Sequence, residues 1–284
     1  LHFVKKFLAQ IAKKRSDRMK KKYTLGVIGG GKMAEAIVRG AIAKKFLCAD
    51  QIIVGEPNAD RAKVFSSLGV SVAENRAVAA DCAYLLVAVK PQTFAEAARD
   101  FQEKEIPAVL SIMAGMTKKA IKSVLGAGTT VARAMPNLPC SVGEGMVALD
   151  ASDCSEEEKQ FAVKLFSSTG KVTQVKEAQL NAVTGVSGSG PAYVFLFLRA
   201  LTEAGKEQGL CEEQAYALAL QTLKGGLALA EASPQTPLSE LIASVSSKGG
   251  TTVAALESFS RDDWAGSVSR AVAAAVKRAE ELSL

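Results

Sequence analysis

Thr24-Leu25-Gly26-Val27-Ile28-Gly29-Gly30-Gly31-Lys32-Met33-Ala34 is an apolar run that ends in a glycine turn and opens directly into a helix-period segment. The letters G-x-G-x-x-A carry meaning only in such a strand, turn and helix setting. There Gly29 permits the tight turn, Gly31 lets a pyrophosphate approach the backbone, and Ala34 lets the helix pack closely. The N–H groups of the helix start, which begins at Lys32 and Met33, then meet the phosphates. A glycine-rich turn can be only a turn; its flanks are what favour dinucleotide binding here.

Outward from that turn, short apolar runs alternate with helix-period segments, the signature of βαβ units feeding a parallel sheet. Strands are expected at Thr24–Ile28, Ile52–Gly55, Ala83–Val89, Val109–Ser111 and Thr130–Arg133, then at Met146–Leu149 and Val172–Val175. Crossover helices are expected at Lys32–Lys45, Asn58–Leu68, Pro91–Gln102 and Thr117–Leu125. Ser155-Glu156-Glu157-Glu158 is a capping box that starts a further helix reaching Ser168.

After Glu177 the strand-like runs vanish. Helical periodicity then predicts about five helices: one from Pro191 toward Gly209, then Leu210–Ala232, Leu238–Ser246, Thr252–Phe259 and Asp263–Leu282. The fold class is thus an α/β Rossmann-type N-terminal domain with a mainly parallel sheet, over 19–176, and an all-α C-terminal dimerisation domain over 177–284. Apolar side chains on more than one face of the C-terminal helices call for burial against a second subunit, so a homodimer or larger homo-oligomer is expected.

The net charge of +6 is a local effect. Residues 1–22 hold nine Lys or Arg against one acid, while the remaining 262 carry 26 basic and 28 acidic side chains. A body so close to neutrality offers no electrostatic footprint for nucleic acid. Residues 1–18 are basic and amphipathic, which could mark targeting or a membrane surface. Because Met19 stands just before the first strand, they are read instead as a leader that is non-native or disordered. No apolar run approaches the roughly 20 residues that span a bilayer.

Five scattered cysteines, without a C-x-x-C pair, suggest neither a disulfide framework nor a zinc site, and fit a reducing cytoplasm. The one histidine is His2. That removes histidine triads, histidine-rich metal sites and histidine acid/base chemistry from the folded body; no metal is expected.

Ligands in open α/β sheets bind beyond the carboxyl ends of the strands. At the second strand end, Glu56 would accept from a ribose 2′-OH, favouring NADH, while Asn58 and Arg61 would hold the 2′-phosphate of NADPH. Alternatively Asn58 only caps the next helix and Arg61 is solvated. The loops Val89-Lys90-Pro91-Gln92, Met113-Ala114-Gly115 and Arg133-Ala134-Met135-Pro136-Asn137 close three further strands. Their small residues admit a flat nicotinamide, and Asn137 offers an amide to its carboxamide. Prolines and glycines that merely end strands are the plainer account.

In the helical half, Ser187-Gly188-Ser189-Gly190-Pro191 and Ser246-Ser247-Lys248-Gly249-Gly250-Thr251-Thr252 both open helices. Bare N–H groups and hydroxyls at such a start suit a small carboxylate without an arginine. Ordinary capping is the alternative.

Val27-Ile28-Gly29-Gly30-Gly31-Lys32-Met33, Val89-Lys90-Pro91, Arg133-Ala134-Met135-Pro136-Asn137, Gly185-Val186-Ser187-Gly188-Ser189-Gly190-Pro191-Ala192-Tyr193 and Gly249-Gly250-Thr251-Thr252 follow one another in the order and at the spacing of pyrroline-5-carboxylate reductases. From Tyr23 to Leu282 the chain resembles that family, most specifically around Ser187 and Thr252. The resemblance implies hydride transfer from NADPH, or from NADH, to the C=N carbon of L-1-pyrroline-5-carboxylate, giving proline. It implies that Thr252 bonds the imine nitrogen, and that Gly250 and Thr251 hold the carboxylate with help from Ser247. The glycine turn and the strand-end loops together give the expected cofactor contacts: Gly29, Gly31, Lys32, Met33, Val89, Lys90, Pro91, Ala114, Gly115 and Asn137, joined by Asn58 and Arg61.

The chain departs from the family at Lys248, where Pro is usual, at Leu138, where Thr is usual, and at Ile242-Ala243, which replaces a basic-acidic pair. Two other readings compete. A β-hydroxyacid dehydrogenase would need a lysine base on the first long helix of the second domain, and Pro191 to Arg199 has none. A non-catalytic dinucleotide sensor would not need Thr252 or the Ser187 loop.

Overall fold

The structure, a computed structural model, describes residues 20–283 apart from residue 100 and residues 102–107. The leader expected over residues 1–18 lies outside the described residues. Eight strands form one sheet: β1 (Tyr23–Ile28), β2 (Ile52–Gly55), β3 (Ser71–Val72), β4 (Cys82–Val87), β5 (Ala108–Ser111), β6 (Val131–Met135), β7 (Gly145–Asp150) and β8 (Gly170–Gln174). Their order is β3-β2-β1-β4-β5-β6-β7-β8.

The first six strands run parallel. β7 is antiparallel to β6, and β8 is parallel to β7. Connection length explains the reversal. Only residues 136–144 join β6 to β7, and a parallel crossover needs about a dozen or more. A 3-10 turn at Leu138–Val142, ended by left-handed Gly143, reverses the chain instead. β1 and β4 are neighbours, so the strand order switches direction between them, and the crevice for a ligand opens at their carboxyl ends.

β2, β4 and β5 are buried along their whole length, which is why they read as unbroken apolar runs rather than alternating ones. The pleat still sorts their side chains. Tyr84 and Leu86 join one core with Leu25, Val27 and Ile37, whereas Leu85 and Val87 join the other with Ile28 and Ile121. Both sheet faces are therefore covered.

Three helices of the sheet unit begin at a side-chain cap. α1 (Lys32–Ala43) does not, with Gly31 at its start and no side-chain cap. α2 (Ala59–Ser66) is capped by Asn58, whose Oδ1 accepts from Arg61 N at 3.0 Å. α3 (Asn75–Asp81) and β3 were not expected, being too short for periodicity to register. The helix expected over Pro91–Gln102 is a 3-10 turn at Pro91–Thr93 followed by α4 (Phe94–Ala98); its expected end lies outside the described residues. α5 (Lys118–Leu125) is capped by Thr117. α6 (Glu156–Ser167) carries the expected box, Ser155 N donating to Glu158 Oε2 at 2.7 Å.

The chain divides into two compact units, one running to Gly188 and recovering the chain from Val276, the other Ser189–Ala275. The first unit keeps α7 (Leu180–Val183) and a π-turn at Thr184–Gly188. The helices that follow are α8 (Gly190–Glu207), α9 (Glu212–Ala232), α10 (Leu238–Ser244), α11 (Thr251–Arg261) and α12 (Trp264–Glu281). Within the second unit α8 and α9 approach closely: a Cβ on Gly205 would lie 3.1 Å from that of Ala215.

Only Thr202, Ala215 and Ala219 of this unit are buried, while Phe195, Leu196, Leu218, Leu227, Leu229 and Ile242 stand exposed. A unit so poor in buried apolar surface cannot offset its own ordering entropy. No helix among the described residues is long and apolar enough to cross a membrane.

Candidate active site

The glycine turn is held by its neighbours. Gly29 has φ +94° and its N–H donates to Gly55 O at 2.8 Å. A Cβ on it would meet Ala88 O at 2.9 Å and Val89 Cγ1 at 2.8 Å. Gly31 is different, because a Cβ there would meet nothing within 4 Å. Open space beside an uncapped helix start of 12 residues is what a pyrophosphate requires, so these residues fit a dinucleotide. Ala34 is fully buried, and Lys32 is exposed with half-buried Met33 beside it.

Around the second strand end, side chains grip the turn. Gly30 N donates to Glu56 Oε2 at 2.6 Å, and Asn58 N donates to Glu56 Oε1 at 2.8 Å. Arg61 Nε donates to Gly30 O at 2.8 Å, and its Nη2 pairs with Glu35 Oε2 at 2.8 Å. Asn58 therefore does cap α2, and Arg61 is engaged rather than solvated. Glu35 also pairs with Arg39 at 2.8 Å. The Arg39 bond, with help from Arg61 and against the effect of burial, holds its carboxyl below the usual range.

Beyond the ends of β4 and β5 lie the other expected cofactor residues. Val89 and Pro91 are half-buried, Lys90 and Ala114 exposed. Gly115 has φ +75°, and a Cβ on it would meet Leu282 O at 2.6 Å, so the carboxyl end of the chain lies against this loop. Asn137 Oδ1 accepts from Met146 N at 2.9 Å, which orients the amide, and its Nδ2 donates to Ser187 Oγ at 3.2 Å. The amide expected to face a carboxamide thus ties the reversal after β6 to the π-turn, a feature frequent at functional sites.

A buried charged network supports that corner. Lys118 Nζ pairs with Asp150 Oδ1 at 2.9 Å and donates to Ser152 Oγ at 2.8 Å. Arg133 Nη1 pairs with Glu177 Oε1 at 2.9 Å, and the same oxygen accepts from Lys118 N at 2.7 Å. Sequence reading missed this network, Glu35 and the Asn137 to Ser187 bond. Partners 26 to 59 residues apart leave no periodic trace, although Arg133 and Ser187 stood in motifs of the sequence.

The expected substrate residues lie on the second unit. α11 starts at Gly250 without a side-chain cap. Gly250 N donates to Ser247 O at 2.9 Å, and a Cβ on Gly250 would meet Ser247 Oγ at 2.5 Å. Gly249 takes φ +72°. Thr251 is exposed and Thr252 half-buried. Because Gly250 is the cap residue, Thr252 does not cap α11. The only lysine in α8 is Lys206, in its last turn and paired with Glu203 at 3.1 Å.

A curated pyrroline-5-carboxylate reductase from Haemophilus influenzae is 38% identical over 266 residues, covering 91% of this chain and 97% of that protein. The chain belongs to the pyrroline-5-carboxylate reductase family. The family model for pyrroline-5-carboxylate reductase dimerisation matches residues 177–282, and the model described as NADP oxidoreductase coenzyme F420-dependent matches residues 24–115. The solved pyrroline-5-carboxylate reductase from Coxiella burnetii has a TM-score of 0.85 at 33% identity, covering 93% of this chain and 99% of that chain. A Plasmodium falciparum pyrroline carboxylate reductase with NADP bound has a TM-score of 0.83 at 26% identity, with the same coverage. Membership of the pyrroline-5-carboxylate reductase family accounts for the poorly buried second unit, which is the dimerisation region of a homo-oligomer, and leaves no place for the hydroxyacid dehydrogenase reading.

Proposed function

We infer that this reductase converts L-1-pyrroline-5-carboxylate to L-proline with NADPH, NADH serving as an alternative donor, as a homodimer or a larger ring in the cytoplasm. The observation that carries the site assignment is the uncapped start of α11, which leaves the Thr251 N–H without a side-chain cap beside the Thr252 hydroxyl. Bound NADPH supplies the hydride.

On the first unit, Gly29, Gly31, Lys32 and Met33 hold the pyrophosphate, and Asn58 and Arg61 the 2′-phosphate. Val89, Lys90, Pro91, Ala114, Gly115 and Asn137 frame the nicotinamide. Ser247, Gly250 and Thr251 bind the substrate carboxylate, since helix N-termini favour anions. Reduction adds hydride to the C=N carbon and a proton to nitrogen, and no histidine in the folded body can supply that proton. Thr252 Oγ1 is assigned the bond to the ring nitrogen, which holds the proton there as the amine forms, with water replenishing it.

The test is to add the imine to purified protein with NADPH or NADH and to follow cofactor oxidation together with proline formation. Stoichiometric proline supports the reading; cofactor oxidation without proline, or none at all, overturns it.

A further inference from the structure

The end of β2 presents a conflict that the family's activity does not explain. Arg61 is the cation expected to meet a 2′-phosphate there, yet two nitrogens of its guanidinium are already engaged. Nε donates to Gly30 O, Nη2 is paired with Glu35 Oε2 at 2.8 Å, and the group lies over the Phe65 ring at 5.9 Å. Glu35 sits in the first turn of α1, the same turn that offers its N–H groups to a pyrophosphate. With Arg39 on its other oxygen, Glu35 stays ionised at neutral pH.

Glu56 answers a different need. Both its oxygens accept backbone N–H groups, from Gly30 and Asn58, so it shapes the turn. Among the described residues, Glu35 accepts no backbone donor and is bonded by arginines alone. Its charge is thus separable from the architecture of the turn. A carboxylate at 2.8 Å from the arginine competes with any incoming phosphate for the same hydrogens, and a like charge so near a dianion raises the cost of binding it.

We propose that Glu35 is a specificity-determining residue, which competes for part of the Arg61 guanidinium, weakens its grip on the 2′-phosphate and so keeps the preference for NADPH over NADH small. The proposal rests on the dinucleotide reading of the glycine turn. Removing the Glu35 charge while keeping its shape releases Arg61 to the phosphate. NADH, lacking that phosphate, gains nothing.

The test compares binding of 2′,5′-ADP and AMP by calorimetry in the full-length wild type, Glu35→Gln, Glu35→Ala, Arg61→Leu and Glu35→Gln/Arg61→Leu. Thermal melting verifies that each variant is folded, and Glu35→Ala serves if Glu35→Gln is not. The expected result is a five- to tenfold tighter Kd for 2′,5′-ADP in either Glu35 variant, an AMP Kd within twofold of wild type, and no gain in the double variant. The NADPH to NADH ratio of kcat/KM should rise by the same factor. A 2′,5′-ADP Kd within twofold of wild type, or an equal gain for AMP, overturns the proposal. Failure of both nucleotides to bind overturns the dinucleotide reading with it, whereas a gain in binding without turnover of the imine leaves the proposal standing and refutes the substrate reading alone.

Discussion

Lys118 Nζ lies 2.9 Å from Asp150 Oδ1, with both side chains almost wholly removed from solvent. The pair joins α5 to the end of β7, the strand whose reversal places Asn137 against Ser187. Burial opposes ionisation of Asp150, but the Lys118 bond and two donors from Ser152 outweigh it and hold the carboxyl below its ordinary range. A group whose folded pKa is depressed adds stability above its unfolded pKa, about 3.9 for aspartate, and that contribution is lost as the pH falls through the folded value. Lys118→Met leaves a buried carboxylate unpaired, so it should cost about 3 to 5 kcal/mol at neutral pH. The difference from wild type should shrink below about pH 3.9. Urea titrations at both pH values test this; an equal stability loss throughout would show that lost packing, not charge, is responsible.

The two glycines of the turn should separate folding from binding. Gly29→Ala forces a Cβ onto Ala88 O at a left-handed position, so strain of about 1 to 3 kcal/mol should lower Tm. Gly31→Ala places its methyl in open space, so Tm should barely change while KM for NADPH rises several-fold. Melting curves and cofactor titrations of the two variants read the contrast, and a Gly31→Ala protein with wild-type cofactor KM would contradict the cradle.

These cases also show what was legible in the sequence. Local features long enough to leave a pattern could be read: the turn from Gly29 to Ala34, the Ser155 to Glu158 box, the unbroken apolar runs of β2 and β4, and Pro191 at the start of α8. Features made by contacts between distant residues could not. Nothing near Asn137 announces that its amide is engaged by Met146 and Ser187, and nothing near Gly115 announces the backbone of Leu282. The antiparallel turn into β7 was readable in principle from connection length, but it depends on where β6 stops, two residues later than expected. Candidate substrate residues were legible because bare glycines and hydroxyls at a helix start are a local pattern, as the uncapped α11 illustrates.

Asn137→Ala should loosen the corner proposed to frame the nicotinamide. It strands Met146 N–H and releases Ser187, so a stability loss of about 1 to 3 kcal/mol is expected, with a larger fractional fall in kcat than in cofactor affinity. Denaturation and steady-state rates measured on the same preparation check this. An unchanged kcat would reduce Asn137 to a fold-stabilising residue.

Assembly should depend on the exposed apolar residues of the second unit. Introducing charge at two of them, as in Leu218→Arg/Leu227→Arg, should lower the mass seen by light scattering and the Tm together. A wild-type protein that stays monomeric and active at micromolar concentration would contradict the need for a partner.

The role assigned to the α11 start is tested most directly by the turnover of Thr252→Ala with L-1-pyrroline-5-carboxylate and saturating NADPH. Gly250 caps the helix, so little stability should be lost. A bond to the ring nitrogen that strengthens as the amine forms appears in kcat rather than in cofactor affinity. The expected fall in kcat is about ten- to a hundredfold, or about 1.4 to 2.7 kcal/mol, with NADPH binding nearly unchanged and Thr252→Ser largely restoring the rate. A folded Thr252→Ala protein that turns over at the wild-type rate would contradict the assignment and leave water as the proton source.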